Sequence, residues 1–424
     1  MAALHAIPIQ SRPRPTLRDH VHALAFNLTF GLYLVLIHAF QLLFVPFLVA
    51  SHFLHAPLAG EVHRVGIAYS KETFASLLVL IVSQFGPSRL VVSADSRHAL
   101  DRFVRRDKRG EVVGLEVDRH AVWIANHQMY ADWIYVWLVL SYAGVSEGLS
   151  IVIKASLQWS PIVGPAMQLF RFIFISKTKT LAASSLYSTA QDAVRRDEPY
   201  QLLLFPEGTL YSAMTRPKSK AYAEALGIPD TTHVLHPRST GLLFTLRALS
   251  TLFPPSPASP SPSPSSSSVD PSPPSPSPRL TIIDATLGYA GVPAQSYAQS
   301  YYTLQSIFGR GVSPPTVHLH LRRRALEEVP IGNVRKTARP RHLEEELTQG
   351  ERERFGEWLR GVWEEKDRLM ERFGERGAFV VEEKEKEEGE EVEIEVRMRT
   401  EDWIRLGSMP VVLCVAWRIL RCVF

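Results

Sequence analysis

Cysteine is almost missing from this chain. Only Cys414 and Cys422 occur among 424 residues, both at the C-terminal end. That excludes a disulfide scaffold and a multi-cysteine zinc site. No spacing of His, Cys, Asp or Glu suggests another metal centre. A G-x-S-x-G nucleophile elbow is absent, and so is any internal repeat. No zinc-finger, basic-zipper or RNA-recognition signature is present, which weakens a nucleic-acid reading of the basic charge. Charge itself is missing from one long stretch. Between His20 and Gly60, 41 residues, no Asp, Glu, Lys or Arg occurs.

The core of that stretch, LTFGLYLVLIHAFQLLFVPFLVA, exceeds the ~20 residues needed to cross a bilayer. A cleaved signal peptide fits poorly, because its apolar region would run only ~7–15 residues. A buried core helix is the plainer alternative. Asn27, His38, Gln41 and Pro46 interrupt the run, so a kinked or re-entrant helix is open too. A second charge-free stretch, Thr73 to Ser88, fits a returning hairpin arm, an interfacial helix or a core helix. Basic residues flank both runs: Arg12, Arg14 and Arg18 before, Arg97 to Arg109 after. Under the positive-inside rule this means an even number of crossings, or none, with the body on the cytosolic face.

The net charge of +4 hides an asymmetry. Residues 1–326 are basic, with 29 Lys and Arg against 19 Asp and Glu; residues 327–424 are acidic. A basic body suits an anionic membrane surface or a phosphate-bearing substrate. From about Arg89 short runs rich in Val, Ile and Leu read as strands: RLVVSA, AVWIANH, LSIVIKA, QLLLFPE, RLTIIDA and TVHLHLR. Helical patterns such as DWIYVWLVLSYAG and KTLAASSLYSTAQDAVRRD lie between them. The alternation predicts an α/β domain with a central sheet.

The spacing divides the chain into residues 1–88, apolar helices; 89–326, the α/β domain; and 327–424, a charged helical region. Residues 254–278 hold 11 Pro and 11 Ser, and read as an extended insertion inside the domain. Glu382–Glu395 carries nine Glu and two Lys, and reads as solvated and mobile. The final MPVVLCVAWRILRCVF is short for a span and fits an interfacial anchor.

Chemistry concentrates in two places. The first is NHQMYADW, directly after AVWIA. His127 and Asp132 are five residues apart, about 500° on a straight helix, so they meet only if His127 precedes the helix and Asp132 opens it. There His127 suits a general base, with Asp132 fixing its tautomer and stabilising its protonated form. Alone, a His…Asp pair is commonplace, and a capping or core histidine is the plainer reading. The second is FPEGT after QLLL. Pro206 ends the strand, Gly208 lets a ligand approach the backbone, and Glu207 and Thr209 offer polar groups. By itself it is an ordinary turn. Thr215–Lys220 then places Arg216, Lys218 and Lys220 together, as a solvated loop or a phosphate clamp.

Together these blocks resemble the glycerophospholipid acyltransferase family, whose NHxxxxD motif stands here as NHQMYAD and whose Phe-Pro-Glu-Gly block stands as FPEGT. Between them lie Lys154, Pro161, Gly164 and LFRFIFISK, ending at Lys177. VLHPRSTG, with Pro237 and Arg238, supplies a fourth block. NHQxxxDW, FRFIFIS, TRPKSKAYA and DATLGY resemble the branch that includes lysocardiolipin and lysophosphatidylinositol acyltransferases. Two positions depart from that branch: Lys177 replaces a usual Arg, losing the bidentate fork, and Leu210 replaces Asn or Arg.

The resemblance implies an α/β fold with a central mixed sheet flanked by helices, behind an N-terminal membrane segment. It implies acyl transfer from acyl-CoA to the hydroxyl of lysophosphatidic acid, lysophosphatidylinositol or lysocardiolipin, with His127 as base and Asp132 as its partner. Asn126, Arg171, Lys177, Glu207, Gly208, Thr209, Arg216, Lys218 and Pro237 would bind substrate. No metal or cofactor is implied beyond acyl-CoA as co-substrate. The expected setting is a phospholipid membrane, the endoplasmic reticulum first, with the site on the cytosolic side. Hydrolysis of the same ester or thioester, CoA-independent transacylation and a non-catalytic membrane protein are the rivals.

Overall fold

The computed structural model describes residues 4–161, 163–175, 180–253, 279–334, 347–380 and 390–423. The chain opens with a helical hairpin, α1 (Leu17–Phe53) and α2 (Pro57–Phe85). Thr16 caps α1, its hydroxyl accepting from the Asp19 amide while Asp19 accepts from the Thr16 amide. Strand β1 (Arg89–Ala94) and α3 (Arg97–Leu100) follow. A separate hairpin is built from β2 (Val104–Arg106) and β3 (Val112–Leu115). Next come β4 (His120–Ala125), α4 (Asp132–Ala143), β5 (Leu149–Lys154), α5 (Val163–Leu169), β6 (Ile173–Ile175), α6 (Thr180–Arg196) and β7 (Tyr200–Leu204). After α7 (Arg216–Leu226) and α8 (Ser239–Ser250) come β8 (Thr281–Tyr289), α9 (Ala298–Tyr301) and β9 (Thr316–Ala325). The chain ends with α10 (Gln349–Arg376), β10 (Glu390–Glu395) and α11 (Thr400–Val423).

Eight strands form one mixed sheet in the order β10-β1-β9-β8-β4-β7-β5-β6. From β8 through β4, β7 and β5 to β6 every pairing is parallel. Strand β9 runs antiparallel to β8 and parallel to β1. Side chains of β4 alternate between two cores. Ala121, Trp123 and Ala125 join the one that α2 and α4 help form; Val122 and Ile124 join the one with α8 and α10. Both faces are covered, which is why the strand sequences read as unbroken apolar runs.

All six strand-like runs lie on strands. The second apolar stretch is both a returning hairpin arm and a core helix, because Leu77–Val82 of α2 are buried among the strands' side chains. Helices α1 and α2 are each long and apolar enough to cross a membrane. Two expectations change. The end of the acidic run is not loose: Glu390–Glu395 pair with Arg89–Ala94 as an edge strand. Val392 and Ile394 pack on the core from that strand, and Arg89 pairs with Glu393 at 2.6 Å. The apolar tail is a full helix beginning at Thr400. The Pro/Ser segment 254–278, Lys177 and the acidic residues 381–389 lie outside the described residues.

Charged as it looks, α10 is part of the core. Trp363 and Lys366 are fully buried. The Lys366 ammonium donates to the Ala285 carbonyl at 2.7 Å and pairs with the buried Asp284, which Arg324 also meets at 2.9 Å. Burial alone would raise the Asp284 carboxyl; Lys366 and Arg324 outweigh it and hold it below the usual carboxylate range. Removing one member of a buried pair strands the other's charge. Lys366→Ala should therefore cost about 3–5 kcal/mol. Chemical denaturation checks this; a midpoint unchanged from wild type would contradict it.

Candidate active site

Parallel strands β4, β7, β5 and β6 place their C-terminal ends on one edge of the sheet, the usual ligand edge of α/β folds. His127 leaves that edge after β4 and Phe205–Thr209 leave it after β7. Asn126, fully buried, fixes the exit. Its amide donates to the Leu287 carbonyl at 3.1 Å and accepts from the Leu287 N–H at 2.8 Å. Both ends of the Asn126 side chain are thus spent on the neighbouring strand rather than on a ligand.

The chain then turns, and Asp132 opens α4. His127 Nδ1 lies 2.7 Å from Asp132 Oδ2. Asp132 is wholly buried yet well supplied with donors. Its carboxylate accepts the backbone N–H groups of Gln128 at 2.7 Å and Met129 at 3.1 Å, and the Tyr289 hydroxyl. An anion at a helix N-terminus is also favoured by the helix dipole. The carboxylate fixes the tautomer: Nδ1 carries the proton, and Nε2 is the basic nitrogen. Phe205 stacks on the imidazole with ring centroids 4.2 Å apart. The His127 side chain remains 19 % exposed, so its ring is reachable.

The FPEGT loop holds His127 from below. Glu207 Oε1 accepts the His127 N–H at 3.3 Å and the Trp363 indole N–H at 3.2 Å. The Tyr211 N–H donates to the His127 carbonyl at 2.8 Å. Glu207 is buried, so its side chain braces the loop and does not face solvent. Gly208 is exposed at φ +70°, a left-handed conformation suited to glycine. The Arg238 side chain passes beside Gly208, and the Arg238 N–H donates to the Pro206 carbonyl at 2.8 Å. Pro237 is buried next to it, while Thr209 is half-buried.

The cations differ from one another. Arg216 is paired with Asp230 at 2.6 Å through Nη2, and its buried Nη1 has no hydrogen-bond partner among the described residues. Arg171 is paired with Asp192 at 3.0 Å, two residues before β6. Lys218 is exposed. Arg238 is exposed and has no side-chain partner among the described residues, which makes it the uncommitted arginine beside the FPEGT turn.

Sequence reasoning missed Tyr289, Trp363, Lys366 and Asp367. Asp367 accepts the backbone N–H groups of Thr232, His233 and Val234 at 2.6 to 3.2 Å, and Gln128 reaches the His233 carbonyl at 3.1 Å. Helix α10 thereby grips the loops that carry the site. Only DATLGY hinted at Tyr289; WEEKD looks like any charged helix. A cavity of about 640 Å³ lies elsewhere, between β9, the end of β1 and α10. Its Arg322 and Arg324 are already paired with Asp95, Glu365 and Asp284, so it is lined by an ion-pair network.

The family model described as Acyltransferase matches residues 104–256, which contain both loops. That match and the relatives below support the glycerophospholipid acyltransferase family. The chain is 29 % identical over 350 residues to the 2-acyl-1-lysophosphatidylinositol acyltransferase of Saccharomyces cerevisiae, covering 75 % of this chain and 77 % of the yeast protein. It is 29 % identical over 265 residues to lysocardiolipin acyltransferase 1 of Danio rerio, covering 62 % of this chain and 54 % of the fish protein. With lysophosphatidylinositol acyltransferase 10 of Caenorhabditis elegans it shares 25 % over 261 residues, 61 % and 54 % of the two chains. No solved structure matches.

Burial pushes the Glu207 carboxyl up to about 8, against the hydrogen bonds from Trp363 and His127 that pull it down. The unfolded carboxyl ionises near its ordinary 4.5. Between those values the unfolded state binds fewer protons, so stability falls as pH rises. Glu207→Gln removes that loss. Its thermal midpoint relative to wild type should climb from about pH 5 to about pH 8, each pKa unit being worth ~1.4 kcal/mol at most. A pH-independent difference would contradict the buried neutral acid.

Proposed function

We propose that this protein is a membrane-bound lysophospholipid acyltransferase that moves a fatty acyl group from acyl-CoA to a free lysolipid hydroxyl. The observation that carries the reading is the hydrogen-bonded His127–Asp132 pair at the ligand edge of the sheet, inside the segment that the Acyltransferase family model matches. His127 Nε2 takes the hydroxyl proton as the lysolipid oxygen attacks the thioester carbonyl. Asp132 keeps the ring oriented and stabilises the imidazolium that forms. Collapse of the tetrahedral intermediate expels the CoA thiolate, and the proton leaves with it. The acyl group never rests on the enzyme, so no nucleophilic Ser or Cys is needed.

In this reading Glu207 and Asn126 position the loops and do not touch substrate. The exposed Gly208 leaves room for the glycerol backbone, and Arg238 with Lys218 meets the phosphate. The name of the yeast relative, matched over most of its length, favours lysophosphatidylinositol over lysophosphatidic acid and lysocardiolipin. The apolar α1 holds the enzyme at a bilayer, where acceptor and product both reside. The basic flanks of the hairpin favour the cytosolic side for the active site, and the endoplasmic reticulum is the membrane this reading expects first.

Purified protein, labelled oleoyl-CoA and a panel of lysolipids test the proposal. It predicts diacyl lipid that depends on both substrates. Free fatty acid formed without lysolipid would mean a thioesterase, and product formed without acyl-CoA would mean transacylation. Arg238→Ala should raise the KM for lysolipid about ten- to hundredfold, matching the ~1.5–3 kcal/mol of a charge-assisted contact, and leave the KM for acyl-CoA unchanged. Arg216→Ala should act mainly on stability, since it leaves Asp230 without its guanidinium partner. A lysolipid KM that moves with Arg216 and not with Arg238 would overturn this assignment.

A further inference from the structure

The apolar surface of this chain is not confined to α1. From Val21 to Val49 the exposed positions of α1 are apolar with the single exception of Asn27. Leu24, Leu28, Leu32, Val35 and Leu42 repeat at helical spacing along it, each more than half exposed. Helix α11 continues that surface. It packs on both α1 and α2. Polar contacts lock its first turns to α2: Asp402 accepts from Ser76 at 2.7 Å, Arg405 pairs with Glu72 at 2.9 Å, and Ser408 meets Tyr69 at 2.6 Å. The partners descend along α2 as α11 ascends, so the two helices are antiparallel. The inner face of α11 carries the buried Leu406 and Met409. Its outer face carries Val411, Val415, Trp417 and Ile419, all more than half exposed. Between Gly407 and Trp417 no exposed residue is polar.

The hairpin lies along the domain and does not project from it. Near its start α2 is tied to the α/β domain by Arg64 with Glu198 and by Glu61 with Arg196. Near its end Leu77–Val82 are buried in the core. A helix held to the domain at both ends cannot traverse a bilayer without dragging charged strands and loops into the hydrocarbon, where unpaired backbone and charge are not tolerated. The charge-free part of α11, Leu406 to Trp417, is 12 residues, about 18 Å, shorter than the ~30 Å hydrocarbon core. Arg418 and Arg421 follow, and neither has an acidic partner among the described residues.

We propose that α1 and the C-terminal helix α11 form one continuous bilayer-contacting surface, with α11 immersed in a single leaflet and Arg418 and Arg421 reaching its anionic headgroups. The inference rests on the membrane reading above and extends it from the N-terminal hairpin to the opposite end of the chain. Apolar burial supplies the affinity, and the two arginines snorkel to the phosphates.

Cys414 lies exposed on α11 and provides the probe. In the Cys422→Ser protein it can be labelled with a nitrobenzoxadiazole fluorophore. Sealed vesicles of phosphatidylcholine with phosphatidylserine should raise its emission several-fold. Lipids brominated on the acyl chain should quench it, and external dithionite should bleach it. Val411→Glu combined with Val415→Glu should abolish the rise, and both exposed positions tolerate the change without unfolding. Unchanged emission from protein that co-floats with the vesicles would overturn the role of α11 and leave the membrane reading standing. Protein that does not float at all would overturn both. Protection from dithionite would place α11 beyond the near leaflet and contradict the single-leaflet arrangement.

Discussion

A carboxyl group with no exposure to water sits at the centre of this structure, and its neighbours all point hydrogen-bond donors at it. Asp132 survives burial because two backbone amides, a tyrosine hydroxyl and an imidazole all donate to it. A buried polar group left without such partners costs free energy, so the donors are part of what holds the fold here. The donors arrive from separate elements. The amides belong to the turn after β4, and Tyr289 comes from the end of β8. The Asn126–Leu287 contacts extend the β4–β8 pairing past its last backbone pair, two residues from Tyr289. The orientation of His127 is therefore a property of the sheet and not of a loop alone.

Helix α10 supplies the second layer of support. Its Trp363 braces Glu207 beneath His127, and its Asp367 gathers three amides of the loop before Pro237. Lys366 sits between them against β8. One helix thus ties together the turn after β7 and the 232–234 loop, and those in turn hold His127 and Gln128. His127 is partly open, while Trp363, Lys366 and Glu207 behind it are buried. That division suits preorganisation, since the site's dipoles need no rearrangement during reaction.

The sequence was most legible where local rules suffice. Strands buried on both faces show as Val, Ile and Leu runs, and the five-residue gap from His127 to Asp132 allows contact only across a helix start. It was least legible where pairing is distant. Glu390–Glu395 reads as a solvated acidic stretch, yet alternation with Val392 and Ile394 and the partner β1 make it a strand. Nothing local in WEEKD marks Trp363 or Asp367 as supports of a site some 130 to 160 residues earlier. The cations of TRPKSK carry the right charge, but Asp230 claims Arg216, and only the three-dimensional arrangement leaves Arg238 free beside Gly208.

The central claim is that His127 Nε2 removes the acceptor proton. The direct measurement is the rate of acyl transfer by His127→Ala at matched expression and membrane recovery, with both substrates saturating. The account predicts a loss of about 10²–10⁴-fold, the usual worth of a general base, in a protein that is still folded and membrane-bound. A rate within about threefold of wild type would contradict it, being far less than the removal of any such base costs.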